Sequence, residues 1–224
     1  MYEILTYFAL FLIYSIIGWT IEVICCSFHD KKISNRGFLI GPYCPIYGFS
    51  AILMTMLLKK YTNDLIALFV MSVLICSIME YLTSYIMEKL FHARWWDYSE
   101  KSFNINGRIC LSNSIMFGIL GVLLIKIINP FTYGIIIRIP KTLFIVVTLI
   151  LGVIFIVDLV MSFNIINKLK ITTDNIRKDH TEEINKKVKE ILSKRSILHR
   201  RLINAFPNFN ALTKKIEKIK ERKK

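Results

Sequence analysis

Five long runs of apolar residues dominate the first three quarters of the chain. Each run meets the length of about 20 residues that a helix needs to cross the hydrocarbon core of a bilayer. Backbone polar groups in lipid must be bonded within the chain, so runs of this kind form helices. The pattern therefore predicts an all-α, polytopic membrane protein with five transmembrane helices. The five predicted spans are Ile4–Phe28, Phe38–Leu58, Leu65–Glu88, Ile109–Ile128 and Thr142–Phe163.

The short gaps between these runs carry unequal positive charge, which predicts the orientation of the chain. The gaps at 29–37 and 89–108 together hold seven Lys and Arg, whereas those at 59–64 and 129–141 hold four. Loops rich in Lys and Arg stay in the cytoplasm. We therefore expect a multi-pass protein of the cell membrane, with its N-terminus outside and its C-terminus in the cytoplasm.

The last quarter of the chain has a different character. Residues 168–224 hold 18 Lys and Arg against 7 Asp and Glu, a net charge of +11 out of +14 for the whole chain. Apolar residues recur there at helical spacing up to Pro207, which predicts an amphipathic helix. We expect residues 1–167 to form the membrane domain and 168–224 a basic cytoplasmic tail that contacts anionic lipid. The tail lacks a nucleic-acid motif, so nucleic acid is not an expected partner.

Two carboxylates lie deep within apolar runs. Glu22 shares a helical face with Ser15, Trp19 and Cys26, and Glu80 shares one with Ser77, Ser84 and Glu88. A carboxylate at bilayer depth costs several kcal/mol, so it usually faces a partner, a cavity or a substrate path. A functional role or a buried structural pairing therefore explains Glu22 and Glu80 better than chance. The five cysteines form no CxxC pair and no metal-ligand pattern, so we predict no metal site.

Three denser segments open onto the same predicted cytoplasmic side. The first, Arg36–Gly48, contains two prolines and three glycines, which argues against a regular helix start. The second is Arg94–Ser99 and the third is Asn104–Cys110. Arginines in these segments are candidate partners for the two glutamates or for an anionic ligand. The predicted polar site consists of Glu22, Glu80, Arg36, Arg108, Trp19 and Tyr43, with a cytoplasmic loop of Arg94, Trp95, Trp96, Asp97 and Tyr98. For the tryptophans alone, an interfacial aromatic belt is the simpler interpretation.

Taken in order, these segments resemble the CmpB-like type IV ABC-transporter membrane proteins of bacteria. The resemblance covers most of residues 1–128 and implies a permease-like membrane subunit whose substrate is unknown. The motifs that carry it are Trp19-x-x-Glu22, Arg36-Gly-Phe, Gly41-Pro-Tyr-Cys-Pro-Ile-Tyr-Gly48, Glu80-Tyr81, Glu88-Lys89, Trp95-Trp96-Asp97-Tyr98 and Asn106-Gly-Arg-Ile-Cys110.

Three classes of function remain open at this point. A transporter subunit would need a separate ATPase, because the chain contains no GxxxxGK[ST] motif and can use ATP only through another subunit. A proton-coupled variant would instead cycle protons on Glu22 and Glu80. A membrane-embedded enzyme acting on lipid or isoprenoid phosphate would use carboxylates as acid and base, although no recognised catalytic motif is present. A non-catalytic membrane scaffold would act through its tail.

Overall fold

The computed structural model describes residues 2–30, 37, 39–91 and 94–178, and it describes only the backbone of residues 29, 30 and 166–178. Within these residues the chain is mostly helical. Short elements join the helices: a 3-10 turn at Lys59–Tyr61, a π-helical turn at Leu124–Ile128, and a hairpin of strands β1 (Asn104–Ile105) and β2 (Ile109–Cys110). The helices are α1 (Tyr2–Asp30), α2 (Pro45–Leu57), α3 (Leu65–Phe91), α4 (Leu111–Leu123), α5 (Asn129–Arg138) and α6 (Lys141–Lys178).

Four helical stretches are long and apolar enough to cross a membrane. They are Tyr2–Phe28, Leu65–Phe91, Leu111–Arg138 and Lys141–Ile165. They correspond to the first, third, fourth and fifth predicted spans. A polytopic helical membrane architecture is therefore confirmed, while the second predicted span has a different form.

The second predicted span is helical only in its second half. Helix α2 has 13 residues, which extend about 20 Å and do not by themselves cross the hydrocarbon core. The preceding residues 39–44 form no helix, since Pro42 and Pro45 each remove a backbone donor and restrict the residue before them. This segment runs beside α1, where the Cys44 N–H group donates a 3.0 Å hydrogen bond to the Ser15 carbonyl.

The fourth predicted span is longer than its apolar run. The gap expected at 129–141 is helical as far as Arg138, because the π turn joins α4 to α5. Pro130 falls in the first turn of α5, where a missing backbone N–H is tolerated. Asn129 is buried there; it accepts a hydrogen bond from the Tyr14 hydroxyl and donates one of 2.9 Å to Thr55.

Two helices extend past positions at which the sequence predicts a change. Helix α3 continues to Phe91, past the predicted end at Glu88. Helix α6 runs without a break through the predicted domain boundary between residues 167 and 168. The amphipathic tail helix predicted beyond residue 178 lies outside the described residues.

Small residues bring the helices into close contact. At Gly48 of α2, an added Cβ would lie 2.6 Å from the Phe11 carbonyl oxygen of α1. At Gly121 of α4, an added Cβ would lie 2.5 Å from Ser72 of α3. Small residues at such crossings let helix backbones approach closely in lipid. The apolar core between these helices includes the fully buried side chains Leu10, Leu58 and Leu68.

Helices α1, α3 and α6 run in one direction, whereas α2 and the continuous α4–α5 stretch run in the other, which gives the bundle two distinct ends. The loop end holds the carboxyl ends of α1 and α3 together with residues 94–110. The turn end holds the start of α1, residues 58–64 and the α5–α6 junction, where the rings of Tyr2 and Phe144 lie 5.6 Å apart. Of the predicted polar residues, those that the structure describes lie in the half of the bundle nearer the loop end.

Candidate functional site

The irregular segment 39–44 places a thiol against the first carboxylate, Glu22, which is partly buried. The Cys44 thiol donates a 3.3 Å hydrogen bond to Oε2 of Glu22. The adjoining start of α2 packs tightly on α1, since a Cβ at Gly18 would lie 2.7 Å from the ring of Tyr47. The proline-rich start of the second crossing therefore places polar side chains against the face of α1 that carries Glu22.

The second carboxylate, Glu80, is more deeply buried. Its side chain is 5% exposed, and the Tyr98 hydroxyl donates a 3.1 Å hydrogen bond to its Oε1. Its Oε2 is buried and has no hydrogen-bond partner within the described part of the chain. Tyr98 itself belongs to the loop, where its N–H group donates a 2.8 Å hydrogen bond to the Gly107 carbonyl.

Tyr98 remains a hydrogen-bond donor throughout the physiological pH range. Burial raises the pKa of its hydroxyl well above the usual value, and the neighbouring Glu80 carboxylate raises it further. A group that titrates so far from neutrality does not ionise in the cell. The contact between loop and membrane domain is therefore a hydrogen bond donated by a neutral phenol.

Tyr47 links the two carboxylates. Its ring lies 6.2 Å from that of Phe117 on α4, and its side chain lies within electrostatic range of Glu22, Glu80 and Tyr98. The first helix, the irregular second segment, α3 and the loop thus each place a polar side chain in the region around Tyr47.

The described arginines do not bind Glu80. Arg94 and Arg108 both contact Oε2 of Glu88, at 3.0 Å from Nε and 2.8 Å from Nη2 respectively. Arg108 also lies 5.5 Å from the ring centre of Tyr81 and 5.3 Å from that of Tyr85. The expectation that these arginines pair with the intramembrane glutamates is therefore corrected. The partner is a third carboxylate, two helical turns further along the same face. Arg36 lies outside the described residues.

Residues 94–110 form an ordered loop that covers this site. The Trp96 indole donates a 2.9 Å hydrogen bond to the Arg108 carbonyl, and the ring of Trp95 lies 5.3 Å from that of Phe91. Asp97 accepts a 3.0 Å hydrogen bond from the Ser99 N–H group. These contacts give the two tryptophans specific partners at the end of α3.

Helix α6 supports the irregular segment from the other side. The Asp158 carboxylate accepts hydrogen bonds from the N–H groups of Ile40 at 3.1 Å and Gly41 at 2.8 Å. The Ser162 hydroxyl lies 3.0 Å from the same Ile40 nitrogen. Tyr43 packs here as well, with its ring 5.5 Å from Phe155. Tyr43 therefore lies on the α6 side of the segment, with Asp158 nearby.

Three of these residues carry little signal in the sequence. Cys44 belongs to no CxxC pair or metal-ligand pattern, Glu88 is one more member of a helical face, and Tyr47 is one of several aromatic residues in its segment. Trp19, by contrast, lies beside the segment as expected, since a Cβ at Gly37 would be 3.5 Å from its ring. The available signal was the density of Pro, Gly and Tyr around Cys44, which marks a backbone in close contact with its surroundings.

Within the described side chains, no group of three or more His, Cys, Asp or Glu residues is arranged to hold a metal ion. The site instead offers carboxylate oxygens, phenol groups and one thiol. These groups can exchange protons and can bind positively charged or hydrogen-bond-donating ligands.

Comparison with known proteins places the chain in a family. No curated protein and no solved structure matches it. One protein family, described as "Putative ABC-transporter type IV", matches residues 9–163, which is more than half of the chain and extends from α1 into α6. The resemblance seen in the sequence motifs is thereby confirmed. The chain belongs to the CmpB-like type IV ABC-transporter family and is a multi-pass membrane protein of that family.

Proposed function

We propose that this chain is the permease-like membrane subunit of an ABC transporter, and that Glu22, Cys44, Tyr47, Glu80 and Tyr98 line its substrate path. The single observation that carries the proposal is the convergence of these polar side chains inside the bundle. Polar side chains at bilayer depth face cavities or substrate paths. Family membership supplies the transport context.

The proposal includes five crossings, the second of them composite. The 13 residues of α2 span about 20 Å, and the bent, non-helical residues 39–44 continue the crossing towards the loop end, beside Asp158 and Ser162 of α6. We propose that the two pieces together cross the hydrocarbon core, which is about 30 Å thick. Non-helical backbone at this depth needs protein partners. Here Ser15 and Asp158 supply them, since they accept hydrogen bonds from Cys44, Ile40 and Gly41.

With five crossings the two termini lie on opposite sides of the membrane. The loop end carries Lys89, Arg94, Lys101 and Arg108, so the positive-inside rule places it in the cytoplasm. The N-terminus is then outside and the basic tail inside, next to anionic lipid. The polar site accordingly lies in the inner half of the membrane, which we take to be the cell membrane.

A separate ATPase subunit would drive transport, since the chain itself has no P-loop. We propose that this ATPase docks on the cytoplasmic loop 94–110. Phe103 in that loop is 80% exposed and holds a left-handed backbone conformation with a φ of 52°. An exposed aromatic ring on this loop suits docking of the ATPase. Because the loop also contacts Glu80 through Tyr98, it can transmit a movement of the ATPase to the intramembrane site.

The lipid-phosphate enzyme remains the less favoured function. Such an enzyme needs arginines available to a phosphate group. Both described arginines of the loop instead share the Glu88 carboxylate. Loss of one lipid product with accumulation of its precursor, on deletion of the chain, would favour this alternative.

The proposal is tested by isolating the tagged chain from its native membranes and identifying co-purified proteins by mass spectrometry. We expect an ATPase subunit whose ATP hydrolysis depends on the chain. Phe103→Ser should remove the ATPase from the preparation, whereas Glu100→Gln, an exposed change in the same loop, should retain it. Absence of any ATPase, together with unchanged uptake and efflux in cells lacking the chain, would contradict the proposal.

A further inference from the structure

One buried carboxylate oxygen in the bundle takes part in none of the hydrogen bonds described so far. Glu80 is 95% buried, and its Oε2 has no hydrogen-bond partner within residues 2–30, 37, 39–91 and 94–165. A buried acceptor without a partner costs free energy, and a carboxylate oxygen costs more than a neutral one. Such an oxygen is satisfied either by a proton or by a positively charged ligand.

The other oxygen of the same carboxylate is already occupied. Oε1 accepts the hydrogen bond from Tyr98 at 3.1 Å. That contact fixes the plane of the carboxylate and leaves Oε2 for a second partner. A loop residue therefore orients the acceptor without neutralising its charge.

The basic side chains near Glu80 are engaged elsewhere. Arg94 and Arg108 contact Glu88. Lys101 lies within electrostatic range of Glu80, but its ammonium group is 5.2 Å from the ring centre of Tyr98 and 3.5 Å from Asn113, at an exposed position. Its ammonium group therefore contacts Tyr98 and Asn113, and Oε2 of Glu80 stays without a partner among the described residues.

Aromatic rings complete the surroundings. Tyr47 lies within electrostatic range of Glu80, and its ring packs 6.2 Å from Phe117. The faces of aromatic rings attract cations, and more strongly so where water is excluded. The ring in direct contact with the carboxylate is that of Tyr98, through its hydroxyl. A buried carboxylate oxygen in apolar and aromatic surroundings favours a positively charged partner.

We infer that Oε2 of Glu80 is a binding point for a monovalent cation, and that the cargo of the path belongs to this chemical class. The inference about cargo rests on the proposed transport function, whereas cation binding does not. Alkali metal ions and small organic ammonium ions share this chemistry. Both take a carboxylate oxygen as a ligand, and they are distinguished by experiment.

The test uses the purified full-length chain in lipid nanodiscs at fixed pH and ionic strength. Sodium chloride, potassium chloride and tetramethylammonium chloride replace N-methylglucamine chloride in separate titrations, and thermal stability and intrinsic fluorescence report binding. A ligand that binds the folded state raises its stability in a saturable way. We expect saturation with at least one of the three cations, and the responding cation identifies the class.

Three variants locate the site. Glu80→Gln should weaken binding at least about tenfold, because a neutral amide replaces the charged acceptor. Glu100→Gln removes the same charge from an exposed position of the loop and should leave binding unchanged. Tyr98→Phe should strengthen binding about threefold, because the carboxylate loses its competing donor. Glu80→Gln should lower the affinity for the cation and Tyr98→Phe should raise it. A loss of folding would lower the affinity in both variants, so the two explanations are distinguished.

Several results would overturn the inference. These are the absence of saturable binding of all three cations to the unaltered chain, an equal affinity in Glu80→Gln, or a response to pH alone, which would mean that Oε2 holds a proton. Failure of the transport proposal looks different. If the chain binds the cation but never co-isolates with an ATPase, the cation site stands and the proposed role in an ABC transporter is wrong.

Discussion

The close contact between α1 and α2 predicts opposite effects for the same substitution at two glycines. Gly48 lies where α2 crosses α1, and Gly134 lies on α5 with no atom within 4 Å of an added Cβ. Both are in helices. Replacing each by alanine adds one methyl group to a helical backbone, so the two variants differ only in what that methyl group meets.

The size of the effect follows from the geometry. At Gly48 the new Cβ would lie 2.6 Å from the Phe11 carbonyl oxygen, a backbone atom that cannot rotate away, and would also collide with the Ser15 hydroxyl. Restoring an ordinary contact needs a shift of roughly 0.5–1 Å between two packed helices, and overpacking of this kind costs about 1–3 kcal/mol or more. At Gly134 the methyl group meets open space, and the higher helix propensity of alanine contributes about 0.5–1 kcal/mol.

The assay is reversible unfolding in mixed micelles of increasing denaturing detergent, followed by helical circular dichroism. Gly48→Ala should lower the midpoint and Gly134→Ala should leave it unchanged or raise it. Equal midpoints for the two variants, or a stable Gly48→Ala protein, would refute the close approach of α1 and α2. The placement of Tyr47 and Cys44 beside Glu22 would then fail with it.

Three further substitutions test other parts of the structure by the same unfolding measurement. Asp158→Asn leaves one backbone N–H of the irregular segment without an acceptor and should cost about 1–3 kcal/mol; Ser162→Ala keeps the Asp158 contacts and should cost less than about 1 kcal/mol, so similar losses would contradict the assignment. Gly107→Ala places a side chain at a φ of 67°, against Asp97, and should cost at least about 1 kcal/mol; faster limited proteolysis of the loop should accompany it, and unchanged proteolysis would count against the loop structure. Asn129→Leu removes the acceptor of the Tyr14 hydroxyl and should cost about 2 kcal/mol, whereas a stabilised variant would show that this polar network is dispensable.

The apolar runs predicted the membrane helices well where length alone decides the structure. The first, third and fifth runs contain no proline, and nothing competes with the helix there. The second run carries Pro42 and Pro45 near its start, which predict an irregular backbone, but the bent path of residues 39–44 beside α1 depends on tertiary contacts. The fourth run continues through Asn129 and Pro130, usually a helix-ending pair, because the π turn and the buried contacts of Asn129 accommodate them.

The sequence predicts how deep in the membrane the candidate site lies and some of the residues that form it. Two carboxylates in apolar helices mark a polar site by their desolvation cost, whatever the fold. Their partners could not be deduced, because Cys44 and Tyr98 come from an irregular segment and a loop whose paths the helical pattern does not determine. Glu88 shows the same limit. It shares the helical face of Glu80, yet the fold of the loop decides which carboxylate meets the arginines.

The central claim is that the non-helical residues 39–44 and helix α2 together form the second crossing. The side of the membrane on which single cysteines react tests this claim directly. Glu3→Cys, Lys60→Cys and Lys101→Cys would be made in a chain without its native cysteines and treated with a membrane-impermeant maleimide on intact cells. Five crossings predict labelling at positions 3 and 60 from outside, and at position 101 only after permeabilisation. Labelling of positions 3 and 101 from the same side would mean that residues 39–57 do not cross the membrane.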